Sequence, residues 1–314
     1  MSKQTFPWQD YLAPKFWPSW LGLGIMRIFA ILPYRLQLFI GKAIGHLFYL
    51  VGPAYRRQIA QTNIHLCFPE LSAEEQEQLV RKHFHSLGIS LIETAINWWG
   101  SDKKLRKLVK IKGFEFIDQA LQQGKGAIVL GAHYTTVDIS GRLITLDHKF
   151  AVSFHKFKNP LFNQLTLNSR KKIFDRVFDR HEIRPTFRYI KQNNLMWIAS
   201  DQDANVENSV FAPFFGHLAS TQTVPSRMAK ITGAPVIPYI SRRLDNAQGY
   251  EIEFYPPLEN FPGNSLEEDA TRTNKILEEL IKKAPEQYLW VHRRFKTRPE
   301  GMPQLYPDKH KKTK

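Results

Sequence analysis

The sequence predicts an α/β fold in which a mixed central sheet is flanked by helices. One observation is a series of short apolar runs of strand length, such as GAIVL at residues 126–130 and LMWIA at 195–199. Another is that segments of helical pattern alternate with these runs, which is typical of α/β proteins with a largely buried sheet. A third is that 43% of the 314 residues are hydrophobic, enough to bury a sizeable core.

The elements follow in order along the chain. The pattern Ser72-Ala-Glu-Glu75 predicts a capping box that begins a long helix ending near Trp99 and Gly100. Beyond it the pattern predicts helices at residues 114–123, 135–146, 185–194, 224–232 and 265–283. Between them it predicts strands at residues 126–130, 150–154, 195–199, 235–240 and 250–255. We therefore divide the chain into an N-terminal segment at 1–55, a central domain at 56–298 and a basic tail at 299–314.

The N-terminal segment contains uncharged, mostly apolar runs separated by single basic residues, namely Arg27, Arg35 and Lys42. None of the runs reaches the ~18–20 residues of an unambiguous spanning helix. Several aromatic residues are placed where a belt at the level of lipid headgroups would lie: Trp8, Phe16, Trp17 and Trp20. We expect a membrane-associated helical segment that either spans the bilayer or lies in its interface. The alternative is a pair of buried core helices.

Charge and cysteine content narrow the class of protein. Lys and Arg together number 44 against 29 Asp and Glu, a net charge of +15. This excess indicates an acidic partner, which could be anionic lipid, an acidic protein or nucleic acid. A nucleic-acid-binding protein would explain the charge, but it leaves the apolar N-terminus unexplained and the chain has no recognisable binding motif. The single cysteine, Cys67, excludes a disulfide framework and favours a reducing compartment or a bacterial inner membrane.

One segment contains the strongest candidates for catalytic residues. His133 follows the predicted strand at 126–130, and Asp138 comes five residues later, where the next helix should begin. Ligands of α/β sheets bind at the carboxyl ends of the strands. Asp138 could accept from Nδ1 of His133 and leave Nε2 free as a general base. The spacing alone is weak evidence, because His65 and Glu70 match it without a preceding strand.

Two further segments have the character of a binding site. Residues 155–172 contain no acidic residue and combine basic side chains, including Arg170, with apolar ones. That composition suits a phosphorylated amphiphile, although a solvated helix face is the alternative. Asp201 and Asp203 follow the strand at 195–199 and could orient a sugar. Two carboxylates alone do not make a metal site.

Together these segments resemble the late (secondary) acyltransferases of lipid A biosynthesis, within the group that includes the glycerolipid acyltransferases. The resemblance covers nearly the whole chain. It is carried by His133-x4-Asp138 after GAIVLGA, by Arg170, and by Asp201-Gln-Asp203. It is also carried by GAPVIP at 233–238 and by PEQYLWVHRRFKTRPEG at 285–301. The last block is closer to the lauroyl-transferring branch than to the myristoyl-transferring one. Asp138 occupies a position where many relatives have Glu, and both residues provide a carboxylate.

The resemblance implies an acyl carrier protein thioester as donor and, as acceptor, a hydroxyl of a hydroxyacyl chain on a lipid A precursor. It implies His133 as general base, Asp138 as the carboxylate that orients it, and Arg170, Asp201 and Asp203 as substrate-binding residues. It also implies an enzyme of the bacterial inner membrane whose active site faces the cytoplasm. No metal, other cofactor or nucleic acid is expected. Glycerol phosphate and a phosphatidylinositol mannoside are the alternative acceptors.

Overall fold

The structure of the protein is a computed structural model, and it describes residues 8–179, 181–204 and 206–307. Residues 308–314 of the predicted basic tail lie outside the described residues. Eleven α-helices can be assigned within the described part. They are α1 (Trp17–Ile31), α2 (Tyr34–Val51), α3 (Ala54–Cys67), α4 (Ala73–Trp99), α5 (Asp102–Arg106), α6 (Phe114–Gln122), α7 (Val137–Ile144), α8 (Pro160–Ile173), α9 (Ile183–Lys191), α10 (Val224–Thr232) and α11 (Leu266–Lys282).

Nine strands form two sheets within the same described part. They are β1 (Val109–Lys112), β2 (Ala127–Gly131), β3 (Phe150–Phe154), β4 (Arg176–Asp179), β5 (Leu195–Ala199), β6 (Ser209–Phe214), β7 (His217–Gln222), β8 (Val236–Arg243) and β9 (Tyr250–Phe254). The main sheet has the order β1-β9-β8-β2-β5-β3-β4, and β6 and β7 form a separate antiparallel hairpin. Among the strands assigned in the described ranges, only β8 and β9 pair antiparallel in the main sheet. The predicted mixed α/β sheet flanked by helices is therefore confirmed.

The predicted elements correspond closely to the observed ones. Ser72 caps α4 and forms a capping box with Glu75, as predicted. The strands at 150–154 and 195–199 and the helix at 224–232 have the predicted bounds. The short edge strands β1 and β4 and the β6–β7 hairpin were not predicted. Strands β1, β4 and β7 mix polar or charged residues with apolar ones, so they lack the continuous apolar run that marks a buried strand. Strand β6 has such a run, but Pro213 within it argues against a strand.

The core lies on both faces of the main sheet. All five residues of β2 are buried, and the first four alternate between two hydrophobic clusters. Ile128 and Leu130 belong to the cluster that includes α10 and α11, whereas Ala127 and Val129 belong to the cluster that includes α6 and α7. Successive side chains of a strand point to opposite faces, so this division follows from the period of two. The sheet is thus covered by helices on both sides.

The helices α2 and α4 cross with their backbones in direct contact. A side chain on Gly88 of α4 would clash with the backbone of Gly41 and Gly45 in α2. Glycine at the crossing point removes the Cβ atoms that would hold the helices apart. This contact joins the N-terminal segment to α4, which runs on toward the main sheet.

The N-terminal helices leave much apolar surface exposed. Within the described residues, no helix combines the length and the apolar character needed to cross a membrane. The exposed side chains on α1 and α2 include Trp17, Leu21, Ile25, Ile28, Ile31, Leu36, Phe39, Leu47, Phe48, Leu50 and Val51. A patch of this extent on a soluble monomer is uncommon. The predicted membrane association of residues 1–55 stays a prediction.

The glycine crossing yields a test of packing. Gly88→Ala should lower the free energy of unfolding by about 1–3 kcal/mol, because the added methyl group must separate α2 from α4. Gly24→Ala is the matched control, since a Cβ there meets no atom and alanine favours a helix by about 0.5–1 kcal/mol. Urea unfolding in a neutral detergent measures both. Equal stability of the two variants would show that the crossing is not tightly packed.

Candidate active site

The site forms where two neighbouring strands end. Strands β2 and β5 are parallel neighbours, and their last residues, Gly131 and Ala199, are paired in register. His133 lies two residues beyond the end of β2, and Asp201 lies two residues beyond the end of β5. Equivalent positions on adjacent parallel strands bring the two side chains together at the carboxyl edge of the sheet.

Asp201 holds His133 through both of its carboxylate oxygens. Nδ1 of His133 lies 2.7 Å from Oδ1 of Asp201, and the backbone N–H of His133 donates to Oδ2 at 2.9 Å. The sequence-based expectation that Asp138 accepts from Nδ1 is therefore wrong, because Asp201 occupies that position. When Nδ1 donates to Asp201, Nε2 is the nitrogen that can accept a proton. Among the described residues no hydrogen bond involves Nε2 of His133.

Burial and charge act in opposite directions on this pair. Burial lowers the pKa of His133, but the Asp201 carboxylate more than offsets it, so the pKa lies above its usual value. Burial also raises the pKa of Asp201, but His133 and its hydrogen bonds outweigh this and lower that pKa to about 2. The Asp201 side chain is 1% exposed, whereas that of His133 is 28% exposed. The histidine can thus be reached from outside, and the aspartate is a fixed buried charge.

Asp138 pairs with a different residue. It lies in the first turn of α7, and its Oδ1 accepts from Nη2 of Arg170 on α8 at 2.8 Å. The Arg170 guanidinium also lies over the ring of Phe154, 5.4 Å from its centroid. Asp138 and His133 line the same cavity of about 150 Å³, which also includes Ser90 and Thr94 of α4. The structure therefore brings His133, Asp138 and Arg170 to one site without a His133–Asp138 hydrogen bond.

Asp203 forms hydrogen bonds with the C-terminal segment and not with His133, Asp138 or Arg170, as far as the described residues show. Oδ1 accepts from the backbone N–H of Thr297 at 2.8 Å, and Oδ2 accepts from the Thr297 hydroxyl at 3.0 Å. Both oxygens are thus used to hold the C-terminal segment. Each oxygen keeps a second lone pair, so the expected substrate-binding role of Asp203 stays a prediction.

The C-terminal block holds the segment that contains His133. The backbone N–H of Leu289 donates to the carbonyl of His133 at 3.0 Å, and that of Thr135 donates to the carbonyl of Gln287 at 2.7 Å. Tyr134 and Tyr288 form an isolated antiparallel bridge between the two segments. The block from Pro285 therefore fixes the backbone on both sides of Tyr134.

The role of Asp201 was missed, although a signal for it existed. Both Asp201 and His133 follow short apolar strands by the same number of residues. Chain order does not indicate that β2 and β5 are neighbours in the sheet, because β3 and β4 come between them along the chain. The strand order, with β2 at the centre, was needed to pair the two residues.

A buried, mainly parallel sheet with a histidine held by a carboxylate at the carboxyl ends of its strands is typical of α/β enzymes. Comparison with known proteins defines the class further. Residues 6–297 match the sequence model for the family described as bacterial lipid A biosynthesis acyltransferase. The chain belongs to this family and is an acyltransferase.

Three relatives show the extent of the similarity. The lipid A biosynthesis palmitoleoyltransferase of Escherichia coli K12 is 33% identical over 95% of this chain and 97% of its own length. The lipid A biosynthesis lauroyltransferase of the same strain is 33% identical over 94% and 96%. A lipid A biosynthesis acyltransferase of Haemophilus influenzae is 32% identical over 94% and 96%. The likeness to the lauroyl branch is therefore matched by an equal likeness to a palmitoleoyltransferase.

The His133–Asp201 contact makes a prediction about protonation. Asp201→Asn should lower the pKa of His133, because burial remains while the carboxylate that raises this pKa is lost. Asp138→Asn should lower it less, since the Asp138 charge raises this pKa less than the Asp201 carboxylate does. Side-chain 15N NMR against pH measures both changes. A larger fall for Asp138→Asn would reverse the assignment.

The same contact sets a pH dependence of stability. The pKa of His133 is raised on folding, so the pair stabilises the fold below the unfolded-state pKa of about 6.5. This contribution is lost as the pH rises through the folded-state pKa. In Asp201→Asn it should be absent across that range.

Proposed function

We propose that this chain transfers a fatty acyl chain, laurate, from an acyl carrier protein thioester to a hydroxyl of a hydroxyacyl chain on a lipid A precursor. The observation that carries the proposal is the state of His133. Its Nδ1 is held by buried Asp201, and its Nε2 has no hydrogen-bond partner among the described residues. His133 also lines a cavity. Such a histidine is suited to general-base catalysis.

In the proposed reaction Nε2 of His133 accepts the proton of the acceptor hydroxyl as its oxygen attacks the thioester carbonyl carbon. The tetrahedral oxyanion then collapses, the carbon–sulfur bond breaks, and the departing sulfur takes the proton from His133. The products are the ester and the free thiol of the carrier. Asp201 orients the ring and stabilises its protonated form, as a carboxylate does in related histidine sites.

No residue of the protein needs to carry the acyl group. Cys67 is buried, and burial raises the pKa of its thiol, so it is not an activated nucleophile. We assign Arg170 to an acceptor phosphate, because its planar guanidinium suits phosphate recognition. Asp138 then has the role of positioning Arg170 through the 2.8 Å hydrogen bond rather than orienting His133.

The acyl chain has a candidate site next to His133. An apolar cavity of about 400 Å³ lies between α1, α4 and α8 and is lined by Gly22, Leu23, Met26 and Ile92, among others. Helix α4 also contributes to the cavity that contains His133, and α8 carries Arg170. Helix α4 borders both cavities, with Leu91 and Ile92 in the apolar one and Ser90 in the other, so an acyl chain in the apolar cavity could present its thioester to His133.

The charge and the exposed apolar side chains of the protein suit the proposed partners, an acidic carrier protein and a membrane. The net charge of +15 would attract both an acidic carrier protein and lipid phosphates. The exposed apolar side chains of α1 and α2 would place the protein at a membrane, which we take to be the bacterial inner membrane with the site on the cytoplasmic side. Mass spectrometry of products formed with a lipid A precursor, glycerol phosphate and a phosphatidylinositol mannoside would identify the acceptor.

The central test is replacement of the base. His133→Gln should reduce lauroyl transfer from acyl carrier protein by at least about 10²–10⁴-fold, because the amide cannot accept the hydroxyl proton. Product formation is followed by mass spectrometry under single-turnover conditions. Circular dichroism establishes that the variant is folded.

His65→Gln provides the matched control for this substitution. His65 satisfies the same spacing to an acidic residue, but it lies on α3, where its Nδ1 contacts Gln76. It should leave turnover within about twofold of the wild type, as expected for a surface change. Wild-type turnover by folded His133→Gln would exclude the mechanism.

Chain length provides a separate test. Gly22→Leu should shift the preferred donor to shorter acyl chains, because Gly22 lines the apolar cavity and has space for a side chain. Gly24→Leu adds the same side chain to the exposed face of α1, two residues away, and should leave the preference unchanged. Competition among donors of different chain length measures this. An identical donor preference in both variants would place the acyl chain elsewhere.

A further inference from the structure

A second large cavity lies beside the one that contains His133. Its volume is about 770 Å³, and its walls come from α2, α4 and the loop between β8 and β9. Ser86 and Arg243 line it, whereas Thr135 and Glu93 line the His133 cavity. Ser86 and Thr135 share a hydrogen bond of 2.7 Å, and Arg243 pairs with Glu93 at 2.8 Å. The two cavities are therefore distinct but adjacent.

Unpaired basic side chains outnumber acidic ones in the wall of this cavity. Arg35, Lys42 and Lys82 line the cavity, and none of them forms an ion pair or hydrogen bond with any residue in the described ranges. Two carboxylates, those of Asp245 and Glu286, also line it, so the cations outnumber them. The deeper Arg243 is already neutralised by Glu93. The free charge of the cavity is positive and suits an anion.

The pKa of His85 is affected by the positive charges of this cavity. It lies in the cavity wall, half-buried, near Lys42 and His46. Burial lowers the pKa of His85, and the neighbouring His46 and Lys42 lower it further. A bound anion would relieve this repulsion between like charges.

The remaining wall is apolar and opens onto an exposed helix face. Leu38 and Phe39 of α2 line the cavity, and Phe39 is 69% exposed. Leu36, on the same helix, is also exposed. A basic cavity that continues into an exposed apolar helix face has the pattern of an interfacial binding site, in which charge meets a headgroup and apolar side chains meet acyl chains.

The loop wall is held in an unfavourable conformation. Asn246 and Ala247 both adopt left-handed backbone angles, with φ of 55° and 58°. Alanine rarely occupies this region, and such strain is commonly found at ligand sites. The start of the loop is held in place by Gln287, whose side chain accepts from the Arg243 N–H at 2.7 Å and donates to its carbonyl at 3.0 Å. The backbone of the loop wall is therefore fixed in place by Gln287.

We infer that this cavity binds the phosphorylated headgroup of an anionic membrane lipid whose acyl chains lie along the exposed apolar face of α2. The inference does not rest on the reaction proposed for His133. A lipid is favoured over a free anion because the apolar wall adjoins the cations. It is favoured over the acidic surface of a carrier protein because the cations lie around a concave cavity of ligand size.

Calorimetric titration of the full chain in a neutral detergent tests the inference. The probes are dihexanoyl phosphatidylglycerol, dihexanoyl phosphatidylcholine and inorganic phosphate, each below its micellar concentration. The phosphatidylglycerol should bind at least about tenfold more tightly than the other two, because only it offers both the charge and the acyl chains. Equal binding by inorganic phosphate would show a free-anion site and overturn the lipid assignment.

Variants locate the binding. Lys42→Gln with Lys82→Gln should weaken phosphatidylglycerol binding by about tenfold or more, since each lysine near a lipid phosphate contributes about 1 kcal/mol. Lys42→Arg with Lys82→Arg should restore it. Lys103→Gln with Lys107→Gln removes the same charge from exposed positions at α5 and should have little effect. Similar losses from both glutamine pairs would show attraction by net charge alone and overturn the site.

Two further outcomes would also contradict the inference. Unchanged phosphatidylglycerol binding in the Lys42/Lys82 variant, with weaker binding of the apo carrier protein, would assign the surface to the protein partner. Unchanged phosphatidylglycerol binding with a raised KM for the lipid A precursor would assign it to the acceptor. Because binding is read without turnover, a failure of the His133 mechanism would leave this result intact.

Discussion

The contact between His133 and Asp201 depends on the sheet, and much of the site depends on that contact. Asp201 is almost completely buried, and its negative charge is stabilised chiefly by Nδ1 and the backbone N–H of His133, which both donate to it. The register of β2 and β5 places the two residues side by side. The positions of the ring, of its free nitrogen and of the adjoining cavity follow from this one ion pair.

Helix α4 organises the space around the pair. Different faces of this helix line the cavity that contains His133, the apolar cavity beside α1 and the basic cavity beside α2. Glu93 joins these regions, because its carboxylate accepts from Arg243 and from the hydroxyl of Tyr250. An uncompensated buried Glu93 would be costly, so this network also fixes the rotation of α4 against the sheet.

Much of the fold could be predicted from the sequence, whereas the key contact could not. The capping box at Ser72 and the apolar strands β3 and β5 have strong local signals, and their bounds were found to within a residue or less. His133 was selected correctly as a residue at a strand end. Its partner was assigned to Asp138 because the two are close in sequence, yet Asp201 reaches it from 68 residues away. Strand order is a property of the whole chain, and no local pattern of charge or hydrophobicity encodes it.

The antiparallel bridge between Tyr134 and Tyr288 has a consequence for folding during synthesis on the ribosome. Synthesis is vectorial, so the segment with His133 leaves the ribosome long before the segment at Tyr288 exists. Until then the carbonyl of His133 lacks its donor, the N–H of Leu289. At about 5–20 residues per second, the intervening chain takes roughly ten seconds or more to appear. The last strand of the main sheet ends at Phe254, so the sheet can be completed while residues 255–289, which hold the histidine loop, have still to appear.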